Sequence, residues 1–221
     1  MFYNLIAGLC RPAAWWGRLR IEGLDVVPPD GPLLVVPNHD SQWDPILVGL
    51  AIYPRRRLRF LARSGLWRIP GLAPILNGLG QIPIRRGRRD EAALARALGI
   101  LRGGGALTVF PEGRLSWGEP VRARSGVGLL ATWCREARIV LCTIEGTTDY
   151  VRFPKRPLVT VRFFEPAAGL SRADSPAALA TRLLTELRTH VPPCPAGRRA
   201  IVGGPPRIQR RLARRRLPSP E

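Results

Sequence analysis

Residues 33–53 have the sequence LLVVPNHDSQWDPILVGLAIY, and this stretch decides the fold class. The apolar run 33–36 predicts a buried strand, and the pair Asp44-Pro45 predicts a helix with Asp44 as its N-cap and proline at its first position. A buried strand that leads through a short polar loop into an apolar helix is the building unit of an α/β sheet. The stretch therefore favours an α/β fold with a polar loop at the end of a strand.

The same alternation of strands and helices continues along the chain. Further strands are predicted at 20–24, 58–62, 81–84, 106–110, 139–144 and 158–164. Helices are predicted at 70–78, 91–102, 126–137 and 176–190. Asp90 and Ser175 precede two of these helices as N-caps, and the partial alternation of 158–164 is typical of an edge strand. We expect a single mixed, mostly parallel sheet flanked by helices.

The length and composition predict one folded domain between an apolar N-terminal segment and a basic C-terminal segment. A chain of 221 residues supports one domain, or one domain with a tail. We expect a membrane-interface segment at 1–17, a folded domain at 18–192 and a flexible basic tail at 193–221. One face of a predicted helix carries apolar side chains at Phe2, Leu5, Ile6, Leu9, Ala13 and Trp16. Trp15 and Trp16 suit the headgroup zone of a membrane. This face suits a membrane interface, and the alternative is a helix packed on the domain's own core.

The charge of the chain requires an anionic partner. Lys and Arg number 35 against 16 Asp and Glu, which gives a net charge of +19. The anionic partner could be nucleic acid, a membrane surface or a phosphorylated substrate. Nucleic acid is disfavoured because the basic stretches 54–59, 85–89 and 207–216 contain no aromatic residues for base stacking. No stretch reaches the ~18 uncharged apolar residues that usually span a bilayer.

The number and spacing of the cysteines and histidines limit which metal sites and disulfides the chain could form. The four cysteines are scattered without a CxxC pair, which argues against a zinc ribbon and against a disulfide scaffold. A reducing, cytoplasmic compartment is the default expectation. With only two histidines, a His-rich metal site is excluded, and we expect no metal ion.

The loop after the strand 33–36 is the first candidate for chemistry. His39 follows the strand and Asp44 comes five residues later. On one continuous helix, side chains five apart point ~140° away from each other, but a turn before the helix could bring the two together. A carboxylate bonded to one imidazole nitrogen leaves the other nitrogen as a general base. The alternative is a surface histidine near a capping aspartate.

Two more segments could bind an anion. Residues 110–116, FPEGRLS, follow a predicted buried strand, and the alternative is an ordinary solvent-exposed turn. Residues 80–89 include four arginines in five positions, which could bind phosphate in bidentate fashion. For these the alternative is a solvated basic loop.

Taken together, the three segments resemble the glycerophospholipid acyltransferase superfamily, closest to the lysophosphatidic acid acyltransferases (1-acylglycerol-3-phosphate O-acyltransferases). The resemblance runs from about Arg20 to Phe164. The family's NHxxxxD motif matches Asn38, His39 and Asp44. Its second motif matches Gly80, Ile82, Ile84 and Arg86, and its third, typically FPEGTRS, matches Phe110, Pro111, Glu112, Gly113 and Ser116. A familiar basic-x-Gly phrase follows at Arg124-Ser125-Gly126.

The chain departs from the family pattern at two places. Arg114 stands one position before the family's usual arginine, where this chain has Leu115. The fourth motif usually has a proline where this chain has Leu141. These departures leave the expected fold and reaction class unchanged but affect the expected acceptor headgroup and acyl chain.

The resemblance implies an enzyme that moves a fatty acyl group from a thioester to a free hydroxyl. The donor would be acyl-CoA or acyl carrier protein, and the acceptor lysophosphatidate or a related lysophospholipid. His39 would be the general base, oriented by Asp44, and backbone N–H groups at the start of the following helix would help bind the oxyanion. The implied acceptor-binding residues are Arg86, Glu112, Gly113, Arg114, Ser116 and Arg124.

The same resemblance implies a place for the protein in the cell. An enzyme of this kind needs no metal or redox cofactor, and it would lie on the cytoplasmic face of the cell membrane as a peripheral or monotopic protein. The alternative from another functional class is a non-catalytic basic protein that binds anionic lipid or nucleic acid.

Overall fold

The computed structural model of the protein describes residues 2–85, 90–116, 120–150, 156–169 and 174–191. Six α-helices are seen there: α1 Phe2–Trp16, α2 Asp44–Ile52, α3 Leu72–Gly78, α4 Glu91–Arg102, α5 Gly126–Trp133 and α6 Pro176–His190. The seven strands are β1 Arg20–Glu22, β2 Leu33–Pro37, β3 Leu58–Arg63, β4 Ile82–Ile84, β5 Ala106–Thr108, β6 Arg138–Glu145 and β7 Thr160–Phe164. Short 3-10 helices lie at Leu24–Val26, Ser64–Arg68 and Thr147–Asp149.

The strands form one sheet in the order β1-β7-β6-β2-β5-β3-β4. Only the β6–β7 pair is antiparallel among the described strands. The predicted mixed, mostly parallel sheet is therefore confirmed. β2 lies between β5 and β6, so the loop that carries His39 leaves the middle of the sheet.

Both faces of the sheet are covered, which explains why β2 is apolar without alternation. Every residue of β2 is buried. Leu34 and Val36 pack with residues of α4, α5 and α6, whereas Leu33 and Val35 pack with residues of α2 on the other face. A parallel strand buried on both faces is expected to be continuously hydrophobic.

Two of the expected helix caps are confirmed and one is wrong. The Asp90 carboxylate accepts the N–H of Ala93, 3.2 Å away, and the Ser175 hydroxyl accepts the N–H of Ala178 at the same distance. Asp44, by contrast, is the first residue of α2, and its side chain does not cap that helix. Its carboxylate turns back to the loop before the helix instead, as described below.

The expected edge position of the strand at 158–164 is also wrong. β7 lies between β1 and β6 and pairs with both. Its alternation, with Val161 and Phe163 buried, reflects one face on the core rather than a place at the edge. The short β1 is the edge strand on this side of the described sheet.

The N-terminal helix α1 packs on the domain with one side only. Ala13 and Trp16 contact the core beside α2, and the Tyr150 hydroxyl donates to the carbonyl of Ala13. Leu5 and Leu9, which share a helix face with Ala13 and Trp16 by their spacing, are 58% and 67% exposed. The predicted face is therefore exposed in the first half of the helix and packed on the core near its end.

No helix within the described ranges is both long and apolar enough to cross a bilayer. The predicted division of the chain at 17 and 192 stays a prediction, and the proposed tail 193–221 lies outside the described residues.

Candidate active site

His39 and Asp44 meet in the loop between β2 and α2. Nδ1 of His39 lies 3.0 Å from Oδ2 of Asp44. The same Oδ2 accepts the backbone N–H groups of Asp40 and Ser41, each at 2.8 Å. These two bonds hold the carboxylate toward the loop, so the turn brings together side chains that one continuous helix would separate.

The environment of the pair decides the roles of its atoms. Asp44 is fully buried and the His39 side chain is 10% exposed. Because Oδ2 already accepts two N–H bonds, the proton shared with His39 belongs on Nδ1, and Nε2 is left with its lone pair. Phe110 stacks on the imidazole with ring centroids 4.1 Å apart, which limits the ring's rotation.

Asn38 fixes the loop to the neighbouring strand. Its side-chain oxygen accepts the N–H of Ile144 at 2.7 Å, and its amide nitrogen donates to the Ile144 carbonyl at 3.0 Å. The amide side chain thereby continues the β2–β6 ladder beyond Pro37. His39 consequently starts from a rigid backbone position.

The turn after β5 supports His39 from the other side. The Glu112 carboxylate accepts the His39 backbone N–H through Oε2 at 3.1 Å. The Ser116 N–H donates to the His39 carbonyl at 2.8 Å, and the Ser116 hydroxyl donates to Asp40. Both Glu112 and Ser116 are buried to 1% exposure, so they contact the loop that carries His39 rather than solvent.

A partly buried arginine that was not among the predicted site residues completes the cluster. Arg188, in the last turn of α6, donates to Asp40 Oδ1 at 2.8 Å and to Asp40 Oδ2 at 2.9 Å. It also donates through Nε to Glu112 Oε1 at 2.9 Å. Glu112 is thus paired with Arg188 rather than exposed to solvent.

The charges of this cluster shift the titration of its members. Burial raises the pKa of Glu112 to about 7, although the charge of Arg188 opposes the shift. Burial would also raise the pKa of Asp40, but its bonds with Arg188 outweigh that effect and the pKa is below its ordinary value. Burial would lower the pKa of Arg188, but its bonds with Asp40 and its pairing with Glu112 outweigh this and the pKa is raised. Arg188 therefore stays charged while it compensates the two carboxylates.

The other predicted binding residues lie nearby to different degrees. Gly113 has φ +65°, a conformation that favours glycine, and a Cβ there would lie 2.8 Å from Cγ of Arg124. The Arg124 N–H donates to the Pro111 carbonyl at 2.7 Å, so Arg124 is held against the turn. Arg114 and Arg124 are exposed. Arg86 lies outside the described residues, and all of these binding roles stay predictions.

The backbone N–H groups that were predicted to bind the oxyanion already bond other acceptors. The N–H groups of Asp40 and Ser41 bond Asp44, that of Trp43 bonds the Ser41 hydroxyl, and that of Asp44 bonds the Ser41 carbonyl. Proline at position 45 has no N–H. These amides are therefore not free to bind an oxyanion.

Metal ligands are not grouped in the described part of the chain. No three His, Cys, Asp or Glu side chains there are placed to hold a metal ion. The expectation of a site without metal or redox cofactor stays a prediction. What the described groups can do is hold an imidazole in one tautomer with a free Nε2, which is the arrangement of a general acid–base site.

The family model described as Acyltransferase matches residues 18–156, and the protein belongs to this acyltransferase family. The match contains β2, His39, Asp44 and the turn after β5. It does not contain Arg188.

The chain is also similar to curated relatives and to a solved structure. Uncharacterized proteins from Mycobacterium leprae and Mycobacterium tuberculosis are each 26% identical over 147 residues, which is 61% of this chain. The aligned part spans 38% and 39% of those relatives, so the chain corresponds to about two-fifths of their length. The crystal structure of the 1-acyl-sn-glycerophosphate (LPA) acyltransferase PlsC from Thermotoga maritima has the same fold, with a TM-score of 0.65 and 23% identity. That likeness covers 86% of this chain and 78% of the other.

Proposed function

We propose that this protein transfers a fatty acyl group from an acyl thioester to the free hydroxyl of lysophosphatidate or a related lysophospholipid. The observation that carries the proposal is the 3.0 Å contact between His39 Nδ1 and the buried Asp44 carboxylate, within a chain of the acyltransferase family. The fold shared with an LPA acyltransferase supports this choice of acceptor.

His39 acts as the general base in this proposal. Its Nε2 takes the proton of the acceptor hydroxyl while the hydroxyl oxygen attacks the thioester carbonyl carbon. The imidazolium that forms carries its second proton on Nδ1, where the Asp44 carboxylate stabilises it. When the carbon–sulfur bond breaks, His39 returns the proton to the departing thiolate. Base catalysis of this kind contributes ~10²–10⁴-fold to the rate.

The acyl donor is activated, so the protein need not supply a nucleophile of its own. Acyl-CoA and acyl carrier protein both present such a thioester. Cys142 is fully buried in β6 and Ser116 is buried with its hydroxyl bonded to Asp40, so neither is placed to attack a donor. This supports direct transfer to the acceptor without an acyl-enzyme intermediate.

We place the protein at the cytoplasmic face of the cell membrane, bound through α1 and its basic surroundings. Phe2, Leu5 and Leu9 form an exposed apolar stripe along α1. Arg156 lies 4.2 Å from the ring centroid of Trp15, which is itself 68% exposed. An exposed apolar stripe, with an arginine and an exposed tryptophan at the end of the same helix, fits an anionic lipid surface.

The acceptor is tested by comparing two lysolipids. Purified full-length protein is given a long-chain acyl-CoA with either lysophosphatidate or monoacylglycerol, and thiol release is measured. We expect kcat/KM to be at least 10-fold higher with lysophosphatidate, since a charge-assisted phosphate contact contributes ~1.5–3 kcal/mol. Equal kcat/KM values for both acceptors would contradict the proposed recognition of the acceptor phosphate. Phospholipid binding without thiol release would favour the non-catalytic alternative.

A further inference from the structure

Arg188 occupies a position between the two segments that hold His39. Its guanidinium bonds both oxygens of Asp40, the residue directly after His39. It also bonds Glu112, which accepts the His39 backbone N–H. The Arg188 side chain thus connects Asp40, which follows His39 in the chain, with Glu112, which binds the backbone N–H of His39.

We propose that Arg188 is a positioning residue for His39, which holds Asp40 and Glu112 in the places that direct the imidazole toward Asp44. The inference rests on the proposed role of His39 as the base. Arg188 comes from α6, 148 residues after Asp40 in the chain, and lies beyond the matched family region.

The geometry of the guanidinium is what this position requires. A planar fork can bond two carboxylates at once, whereas an ammonium group is a point charge. Here Nη1 and Nη2 bond Asp40, while Nε and Nη2 bond Glu112. The Arg188 side chain is 15% exposed, so water competes little for these bonds.

Removal of Arg188 would leave Asp40 and Glu112 without the donor that they share. Neither side chain would then be held in its place, and a movement of either is passed to His39 directly. The Asp40 N–H bonds the same Asp44 oxygen that bonds the imidazole, so displacement of Asp40 also disturbs the His39–Asp44 contact. None of these effects requires a contact between Arg188 and a substrate.

The test uses the full-length protein with four variants. Arg188→Ala removes the guanidinium, and Arg188→Lys keeps the positive charge without the fork. Arg182→Ala is the matched control because Arg182 lies on the same helix, is also ion-paired, to Asp174, and does not contact the cluster. A fourth variant, His190→Gln, assigns the spectra, since the chain has two histidines.

The first measurement is the state of the imidazole without any substrate. In protein labelled with ¹⁵N at histidine, we expect His39 to be mainly the Nδ1–H tautomer in the wild type and in Arg182→Ala. In Arg188→Ala and Arg188→Lys we expect a mixture of tautomers. An unchanged His39 tautomer in both Arg188 variants would overturn the proposal, whether or not the wild type shows acyl transfer.

The second measurement separates kcat from KM after correction for the folded fraction. Arg188→Ala should lower kcat by 10- to 100-fold with less than a threefold change in the KM of either substrate, and Arg188→Lys should recover only part of the loss. If Arg188→Ala does not fold, Arg188→Lys carries the test with the same two readouts. A loss confined to the KM of the acceptor would contradict the proposal and make Arg188 a phosphate-binding residue. Absence of transfer by the wild type would contradict the proposed function, while the tautomer result still decides the role of Arg188.

Discussion

Oδ2 of Asp44 accepts three hydrogen bonds, from Nδ1 of His39 at 3.0 Å and from the N–H groups of Asp40 and Ser41 at 2.8 Å. Among the residues that the structure describes, none forms a hydrogen bond with the buried Oδ1 atom of the same carboxylate. Burying a carboxylate oxygen in this way is costly. The cost is offset when His39 becomes positively charged, which places the benefit at the step where a proton arrives on the ring.

Replacement of Asp44 by asparagine tests this orientation. Asp44→Asn should reduce kcat by roughly 10- to 10²-fold, because the ring loses its fixed tautomer but keeps its base, so the loss is smaller than that of His39→Ala. Asp90→Asn is the matched control, since asparagine serves equally well as the N-cap of α4. Steady-state kinetics of both variants give the comparison, and a kcat for Asp44→Asn equal to that of the control would contradict the orienting role.

The local sequence left the His39–Asp44 contact as one of two alternatives, and the match to the NHxxxxD motif favoured it. The apolar run of β2 ends just before His39, and the helix begins at Asp44. The spacing left room for a turn. The capping role given to Asp44 was wrong because the carboxylate bonds the amides of the loop, a choice that depends on the loop's path.

Arg188 could not be predicted in this way. The chain has 35 Lys and Arg, and nothing in the local sequence of α6 distinguishes this arginine from those exposed on the surface. Its bonds depend on the tertiary packing that brings the end of α6 to the loop after β2. The interior place of β7 has the same origin, since its pairing with β1 joins residues about 140 positions apart, such as Arg20 and Thr160.

Glu112 should make the stability of the protein fall as pH rises. The pKa of Glu112 is raised from 4.5 to about 7 in the fold, so the folded protein binds more protons than the unfolded chain between those values. The contribution of Glu112 is fully present below pH 4.5 and is lost as pH rises through 7. Relative to Glu112→Gln, we expect the wild-type free energy of unfolding to fall by on the order of 2 kcal/mol between pH 5 and 8.

Denaturant unfolding at several pH values measures this difference. Glu145→Gln, at the exposed end of β6, is the control and should differ from the wild type by the same amount at each pH. A wild-type stability that rises from pH 5 to 8 relative to Glu112→Gln would show that Arg188 outweighs burial at this carboxylate.

The exposed face of α1 should control membrane binding at every salt concentration. Leu5→Ser with Leu9→Ser removes two apolar side chains from the stripe and should weaken binding to anionic liposomes by at least 10-fold, because apolar burial contributes about 25 cal/mol per Å². Trp133→Ser is the control, since Trp133 is an exposed apolar residue of α5 on the opposite face of the sheet. Equal liposome binding by the double variant and the wild type would remove α1 from the membrane contact.

Deletion of residues 193–221 should act differently. This segment contains eight arginines and one acidic residue, so its attraction to an anionic surface is screened by salt. We expect weaker liposome sedimentation at low ionic strength and little difference at high ionic strength. Loss of activity on detergent-solubilised substrate would instead place the tail in the active site.

Arg86 is the expected contact for the acceptor phosphate. Arg86→Ala should lower kcat/KM for lysophosphatidate by roughly 10- to 150-fold, mainly through KM, because the phosphate is remote from the hydroxyl that reacts. Arg86→Lys should recover part of this loss, since lysine keeps the charge without the fork. Steady-state kinetics with monoacylglycerol are the control, and equal losses on both acceptors would make Arg86 structural and shift attention to Arg114 or Arg124.

Acyl transfer with and without His39 tests the account most directly. Thioester-dependent acylation of lysophosphatidate is measured for the wild type, His39→Ala and His190→Ala, the last being an exposed histidine at the end of α6. We predict transfer by the wild type and by His190→Ala, and a loss of at least 10²-fold in His39→Ala with an unchanged circular dichroism spectrum. Normal turnover by a folded His39→Ala protein would contradict the central claim that His39 is the catalytic base.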